Sequence, residues 1–204
     1  MTDLKKLEQR VSKVQHGFGE MREEALKTVG EGTAVQSLRT AEQLYASEKY
    51  QVRMVAVFVL GYIASSSKEA FKILRRTVSQ DKSWQVQEIL AQAFNEYCKS
   101  IGYEKALPTI GDWLQDKNPN VRRAASEGLR IWNQREYFKE HPEVAVELLS
   151  RLKDDESEYV RKSVGNAIRD ISRKEKDLIR NELASWDKSD PKIAFTFGLA
   201  SKFL

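Results

Sequence analysis

The sequence predicts an all-α fold. Apolar residues recur at spacings of three and four along nearly the whole chain, and no segment shows sustained two-residue alternation. The chain has only four prolines among its 204 residues, so few positions would interrupt a helix. Polar turn segments lie at 30–33, 79–83, 115–120, 153–157 and 187–191. They divide the chain into helices of about 12–18 residues that are joined by short loops.

The predicted helices repeat along the chain. Four segments, beginning QVRMVAVF, QVQEILAQ, NVRRAASE and YVRKSVGN, align on a single valine. These anchor valines, which are 34, 35 and 39 residues apart, are Val52, Val86, Val121 and Val160. Each of the last three is preceded by a further helical segment, at 67–78, 104–115 and 142–152. A period slightly below 40 residues with two helices per unit is typical of a HEAT-like helical-repeat solenoid.

The repeats cover the middle of the chain. We expect a single HEAT-like repeat domain over 1–204, with core repeats in 48–173 and capping helices in 1–47 and 174–204. Three glycines fall within the predicted repeat helices, where glycine costs about 1 kcal/mol relative to alanine. They are Gly61, Gly128 and Gly165. Close packing between helices is the expected reason for their presence.

Composition excludes several kinds of site. No apolar run approaches the roughly 20 residues that span a bilayer, and the charged N-terminal segment lacks the pattern of a secretory signal. Cys98 is the only cysteine, and the two histidines, His16 and His141, lie far apart, so we expect no disulfide framework, metal site or Ser-His catalysis. Phosphate-loop, dinucleotide and zinc motifs are absent. The net charge of +4 permits an anionic partner without requiring one.

One face of the repeat helices is polar. Counting from each anchor valine, positions +3, +4, +7 and +8 are apolar or small, whereas +2, +6 and +10 share the opposite stripe. From the first to the fourth repeat the stripe contains Met54, Phe58, Tyr62; Glu88, Gln92, Glu96; Arg123, Glu127, Ile131; and Lys162, Asn166, Asp170. Arg130 and Arg169 lie one position aside. The second helix of each HEAT-like pair lines the concave surface, so we expect a curved solenoid with a concave polar groove. The alternative is that this stripe is polar only because it faces solvent, and that it forms no functional site.

Three segments resemble a known family. They are SWQVQE (83–88), VRRAASEGLRIW (121–132) and SEYVRKSVGNAIRDISRK (157–174). They are similar to segments of the bacterial HEAT-like DNA alkylation repair proteins, the alkylpurine DNA glycosylases AlkC and AlkD, with the likeness closest to the AlkC branch. The resemblance covers roughly residues 50–187. Its most specific motif has identities at Val160, Arg161, Ser163, Val164, Asn166, Asp170 and Ile171.

The resemblance implies a DNA glycosylase that hydrolyses the N-glycosidic bond of purines alkylated on N3 or N7. The acidic site positions of the family fall on Glu88, Glu127 and Asp170, which would then be catalytic. The implied contacts to the damaged nucleotide or to DNA are Trp84, Arg123, Arg130, Trp132, Lys162, Asn166 and Arg169. The implied partner is alkylated or distorted double-stranded DNA. We expect a monomer in the bacterial cytoplasm that needs no cofactor or metal.

These residue types suit that chemistry. Alkylation makes the base cationic and a good leaving group, and a carboxylate can stabilise the oxocarbenium character of the sugar or activate water. An indole can meet the cationic base by a cation–π contact, and basic side chains can bind phosphates. Arg123, Arg130 and Arg169 would keep Glu127 and Asp170 ionised beside DNA.

The tryptophans and the function both leave alternatives open. Trp84 lies at a helix start and Trp132 follows the polar stripe, so each could contact DNA or could belong to the core. Trp113 and Trp186 have core spacing. A catalytically inactive family member that binds distorted or branched DNA is the second hypothesis, and a HEAT-repeat scaffold that docks a peptide is the third. Carboxylates on the stripe favour the enzyme, because binding to phosphate alone would favour their removal.

Overall fold

A computed structural model of the chain describes residues 3–130 and 132–204, and over these residues it contains helices and no strands. The predicted all-α helical-repeat fold is therefore confirmed. The chain forms two compact units, one ending at Ile101 and the other beginning at Gly102. The expectation of a single domain over 1–204 stays a prediction. The stripe position Ile131 lies outside the described residues.

The first unit contains six α-helices among its described residues. They are α1 (Leu4–Val11), α2 (Gly19–Gly30), α3 (Ala34–Tyr45), α4 (Tyr50–Ile63), α5 (Lys68–Arg76) and α6 (Trp84–Ile101). A 3₁₀ turn, Val78–Gln80, connects the last two. The helices with the anchor residues Val52 and Val86 are α4 and α6, as the repeat pattern predicts. The predicted start of the core repeats, residue 48, falls in the loop before α4.

Helix α4 is the centre of the first unit, since α2, α3 and α6 all pack against it. It is apolar on nearly every side, which is the pattern of a fully buried helix. Met54 and Phe58 are buried, which corrects their expected place on an open stripe. Helix α2 covers this face. Cζ of Arg22 lies 5.4 Å from the centre of the Phe58 ring, and the ring centres of Phe18 and Phe58 are 6.2 Å apart.

Two of the three predicted helix glycines mark close approaches. A Cβ atom on Gly61 would lie 2.7 Å from the Cα and Cβ atoms of Ala93, so α4 and α6 could not pack at this distance with any larger residue. In the second unit, a Cβ atom on Gly165 would lie 2.7 Å from Leu199 Cβ and 3.0 Å from the carbonyl oxygen of Thr196. The packing role predicted for these two glycines is confirmed.

The second unit contains seven α-helices among its described residues. They are α7 (Tyr103–Leu114), α8 (Pro119–Gly128), α9 (Glu136–Glu140), α10 (Pro142–Ser150), α11 (Glu158–Ser172), α12 (Lys176–Ala184) and α13 (Pro191–Ala200). A 3₁₀ turn covers Trp132–Gln134. Val121 and Val160 lie on α8 and α11, which pack against each other. The predicted end of the core repeats, residue 173, follows α11 directly.

Helix α8 is shorter than the sequence predicts. It begins at Pro119, where Asn118 accepts a hydrogen bond from the backbone N–H of Asn120, and it ends at Gly128. Gly128 is therefore a terminal residue and not an interior one, which corrects its predicted position. Because the chain leaves the helix here, Trp132 does not continue the α8 surface.

One polar contact recurs in all four repeats. The residue that follows each anchor valine donates from its side chain to the backbone carbonyl six residues before it. The donors are Arg53, Gln87, Arg122 and Arg161, and the acceptors are Ser47, Asp81, Asp116 and Asp155. We call this contact the loop latch. It satisfies carbonyl groups in the loop before each repeat helix, which would otherwise lack partners where they are buried.

Two of the latch arginines also join neighbouring repeats. Arg53 pairs with Asp81 and Arg122 pairs with Asp155, in both cases with 2.7 Å between Nε and a carboxylate oxygen. These aspartates also accept from the backbone N–H two residues ahead, which is an Asx turn. The guanidinium groups of Arg53 and Arg122 are thus used within the protein.

Candidate active site

Two predicted carboxylates meet on one arginine in the second unit. Arg130, just beyond the end of α8, donates from Nε to Oδ2 of Asp170 on α11 at 2.7 Å. Its Nη1 donates to Oε1 of Glu127 on α8 at 3.1 Å. Helices α8 and α11 carry the stripes of the third and fourth repeats, so the repeat packing brings these residues together. We call Glu127, Arg130, Asp170 and Arg169 the carboxylate–arginine network.

The remaining carboxylate oxygens of the network are also hydrogen-bonded. Oδ1 of Asp170 accepts from Nη2 and Nε of Arg169 at 3.1 Å and 3.2 Å. Oε2 of Glu127 accepts from Oγ of Ser163 at 2.9 Å, and Ser126 donates to Ser163 at 2.9 Å. Each oxygen of both carboxylates therefore accepts at least one hydrogen bond, and two arginine charges balance the two carboxylate charges.

The network is recessed but open to solvent. The side chains of Glu127 and Asp170 are 18% and 20% exposed, and that of Arg130 is 35% exposed. Burial acts to lower the pKa of Arg130, but the hydrogen bonds that Arg130 donates to Asp170 and Glu127 outweigh it and raise that pKa above its ordinary value. Arg130 is therefore a permanent positive charge at the centre of the network.

Two predicted contacts to DNA lie inside the protein. Trp132 is fully buried, and the centre of its ring lies 4.3 Å from the ring centre of Phe138. Arg123 is 5% exposed, with its Cζ atom 4.3 Å from the ring centre of Tyr159. The structure thus corrects both expectations: Trp132 packs in the core, and Arg123 supports Tyr159, which is itself exposed.

The other predicted basic and amide positions of the second unit lie on α11. Lys162 is exposed and pairs with Glu158 one turn earlier, at 2.7 Å. This contact lowers the pKa of the Glu158 carboxyl group. Asn166 is half-buried, one turn before Asp170. The roles of Lys162 and Asn166 in binding DNA stay predictions.

Trp84 and Glu88 share a depression in the first unit. Trp84 is the first residue of α6 and is 66% exposed, and Glu88 follows one turn later on the same face. The depression has a volume of about 310 Å³ and is also lined by His16, Tyr50 and Met54. An open aromatic face beside a carboxylate is an arrangement that suits a flat cation. Trp113 and Trp186 are buried, as their spacing predicts.

Sequence reasoning missed the serine pair beneath Glu127. Both serines are buried, Ser163 at the core position +3 and Ser126 at +5, which belongs to neither the core pattern nor the stripe. Within residues 3–130 and 132–204, no group of three or more histidine, cysteine or acidic residues could hold a metal ion. The helices described here include none with the length and apolar character needed to cross a membrane.

Comparison with known proteins decides the family. A family model described as DNA alkylation repair enzyme matches residues 19–200, which is most of the chain. The chain belongs to this DNA alkylation repair enzyme family. Within the family, the chain is similar to AlkD2 from Streptococcus mutans, with 48% identity and a TM-score of 0.96 over 98% of this chain and 97% of that one. The resemblance seen in the sequence is confirmed at the level of the family.

Two further members of the comparison are more distant. An alkylpurine DNA glycosylase, AlkC from Pseudomonas fluorescens bound to DNA with an abasic site analogue, is 24% identical with a TM-score of 0.58, over 97% of this chain and 60% of that one. That likeness shows the fold alone. Protein YhaZ from Bacillus subtilis is 29% identical over 70% of this chain, which spans about half the length of YhaZ (48%). Identity is thus higher with AlkD2 than with AlkC, whereas the sequence motifs favoured the AlkC branch.

Proposed function

We propose that this protein is a DNA repair glycosylase that hydrolyses the N-glycosidic bond of cationic purines alkylated on N3 or N7. Membership of the DNA alkylation repair enzyme family supports a role on alkylated DNA. The observation that carries the finer proposal is the network around Arg130. It holds Glu127 and Asp170 on one partly exposed surface, each in an ion pair with Arg130.

The reaction needs a negative charge near the sugar. As the bond between C1′ and the base nitrogen breaks, its electron pair leaves with the cationic base, which becomes neutral, and positive charge develops on the sugar. Water then adds to C1′ and loses a proton. A carboxylate can stabilise this positive charge or accept the proton, and a single group of this kind contributes about 10²–10⁴ in rate. We assign this role to Asp170, with Glu127 as a supporting charge.

The arginines explain how such carboxylates could operate beside DNA. A carboxylate near a phosphate is repelled, because both groups carry negative charge. Arg130 and Arg169 each donate to Asp170, so two positive charges lie beside this carboxylate and offset its repulsion from a phosphate. The same arginines reduce the repulsion between the protein surface and the backbone phosphates.

The depression in the first unit has residues that suit a cationic base. Trp84 can provide a cation–π contact worth about 0.5–2 kcal/mol. Glu88, one turn away, adds a carboxylate to the same depression. We propose that Trp84 contacts the damaged nucleotide, that Glu88 assists, and that the protein acts as a monomer on duplex DNA in the bacterial cytoplasm.

A second candidate function is DNA binding without base release. It is favoured by the hydrogen bonds that Glu127 and Asp170 accept within the protein, because these contacts give both carboxylates a structural role that requires no catalysis. A peptide-docking scaffold is the third candidate, and the salt dependence of DNA affinity separates it from the other two.

One experiment distinguishes these functions. The purified protein is incubated with DNA methylated by an alkylating agent, and released 3-methyladenine and 7-methylguanine are measured by chromatography. Binding to the same DNA is measured in parallel by fluorescence anisotropy. Base release supports the glycosylase. Binding without release supports the second candidate, and no binding at low salt leaves the scaffold.

A further inference from the structure

Two arginines at the end of α11 lie close to one aromatic ring. Phe203 follows α13, and its ring centre lies 5.4 Å from Cζ of Arg169 and 4.5 Å from Cζ of Arg173. The two arginines are one helical turn apart, so both guanidinium groups lie close to the same ring. Phe203 remains 36% exposed. The sequence does not predict this cluster, because its pattern indicates only capping helices in the C-terminal segment.

The charges around Phe203 are not balanced. Arg169 is paired with Asp170, but Arg173 is exposed and makes no ion pair within the described residues. Lys174 and Lys202 are exposed as well, and neither forms an ion pair with a described residue. Glu175 is the nearest carboxylate along the chain, and no ion pair links it to these cations. The surface beside the carboxylate–arginine network therefore carries uncompensated positive charge.

We propose that Arg173, Lys174 and Lys202 form a binding site for the phosphodiester backbone of duplex DNA, with Phe203 as the residue that positions Arg173. This inference rests on the proposed function as a DNA-binding repair protein. An arginine stacked on an aromatic face keeps the N–H groups at its edge available, and these match the geometry of a phosphate. The ring also restricts the guanidinium group before DNA binds, which lowers the entropy lost on binding.

A second arginine–phenylalanine contact in the same unit shows the contrast. Arg161 lies 5.4 Å from the ring of Phe195. Its guanidinium group, however, donates to the carbonyl oxygens of Asp155 and Glu156 as part of the loop latch. Stacking at Phe195 thus stabilises an arginine that is already used within the protein, whereas Phe203 stacks on Arg173, which has no carboxylate or carbonyl partner among the described residues.

The position of Arg169 links this site to the proposed chemistry. Arg169 lies near the Phe203 ring and also donates to Asp170. A phosphate held by Arg173 would therefore lie one helical turn from the side chain that holds Asp170. DNA bound here would be anchored next to the carboxylate assigned to the reaction.

The test compares charge, ring and control variants by their affinity for undamaged duplex DNA at several salt concentrations. Arg173→Gln should weaken binding about five- to tenfold at 0.1 M salt and make the slope of log affinity against log salt shallower by about 0.9. Phe203→Leu should weaken binding about two- to fivefold, the range of an exposed cation–π contact, with little change in slope because the charge remains. Phe203→Tyr should restore the affinity of the wild-type protein.

The matched control is Phe195→Leu, which should lower the melting temperature and leave DNA affinity unchanged. If the wild-type protein binds DNA but Arg173→Gln and Phe203→Leu bind as well as wild type, the site at Phe203 is excluded and the proposed function is unaffected. If Phe195→Leu weakens binding as much as Phe203→Leu, the effect is one of folding and the proposal is overturned. If the wild-type protein binds no DNA at low salt, both the site and the proposed function are excluded.

Discussion

Arg130 and Asp170, forty residues apart in the chain, are joined by a 2.7 Å contact between Nε and Oδ2. Arg130 also holds Glu127, so a single guanidinium group connects carboxylates from two neighbouring repeats. Neither repeat contains this arrangement by itself, because Asp170 comes from α11 and the other two residues from α8 and its end. The candidate site is therefore a product of repeat packing.

Removing the charge of Asp170 tests the proposed chemistry. Asp170→Asn should abolish most release of methylated bases, and Glu127→Gln should lower it by about 10²–10⁴. Both variants should still bind DNA, and more tightly, since a negative charge facing phosphate is gone. The measurements are single-turnover base release and anisotropy on methylated DNA. Asp177→Asn is the control, because that side chain is 91% exposed. Unchanged release in both site variants would place the chemistry elsewhere.

Trp84 should report on binding of a cationic base by its fluorescence. The other three tryptophans are buried, so iodide should quench mainly Trp84, and Trp84→Phe should remove most of the quenchable signal. Adding 7-methylguanosine should quench the wild-type protein and leave Trp84→Phe almost unaffected. Guanosine, which is neutral, is the matched control ligand. Equal quenching by the two nucleosides would argue against recognition of the charge.

Acid should destabilise the first unit through Asp81. Burial acts to raise the pKa of Asp81, but hydrogen bonds from Arg53 and from the backbone of Ser83 outweigh it and lower that pKa. A carboxyl group with a lowered pKa in the folded state contributes stability above its unfolded pKa, and this contribution is lost as the pH falls through the folded pKa. The free energy of unfolding should thus decrease below about pH 4.

Urea titrations at several pH values measure this effect. Asp81→Asn should be less stable than wild type at pH 7 and should lose less stability between pH 5 and pH 3, a range chosen to bracket the carboxyl pKa. Asp177→Asn provides the control with an exposed carboxylate. Parallel curves for wild type and Asp81→Asn would show that the Arg53 pair does not govern the acid response.

Two glycine substitutions should change stability in opposite directions. Gly61→Ala places a Cβ atom 2.7 Å from Ala93 and should cost about 1–3 kcal/mol, because the helices must separate. Gly111→Ala, within α7, meets nothing within 4 Å and should stabilise the protein by about 0.5–1 kcal/mol through helix propensity. Urea denaturation measures both values. A neutral Gly61→Ala would mean that α4 and α6 can move apart without cost.

The repeat architecture could be predicted because its signal is local and recurs four times. The valine spacing placed α4, α6, α8 and α11, and the stripe brought Glu127 near Asp170. The errors arose where the chain departs from the repeat. Trp132 was assigned to a helix that ends at Gly128, and the covering of Met54 and Phe58 depends on α2, which lies outside the repeat pattern.

Some contacts of the site could not be predicted from a single sequence. The partner of Arg130 depends on how far α8 and α11 separate, which the packing of their apolar faces decides. Ser163 holds Glu127 from a core-facing position where serine is usually a space filler. The stacking of Phe203 on Arg173 requires the C-terminal turn to fold back on α11, a tertiary contact between residues thirty positions apart.

The loop latch has a consequence for how such chains can vary in length. Each donor reaches a carbonyl only six residues before it, so this contact lies within one loop and the start of its helix, while Arg53 and Arg122 also pair with an aspartate of the next repeat. The step from Val121 to Val160 is the longest of the three, and the additional segment Glu136–Glu140 lies outside the latched stretch. Insertions between latches should therefore be tolerated. A single-residue deletion inside a latched loop should instead rotate the helix that follows, so that its apolar face no longer meets its neighbours.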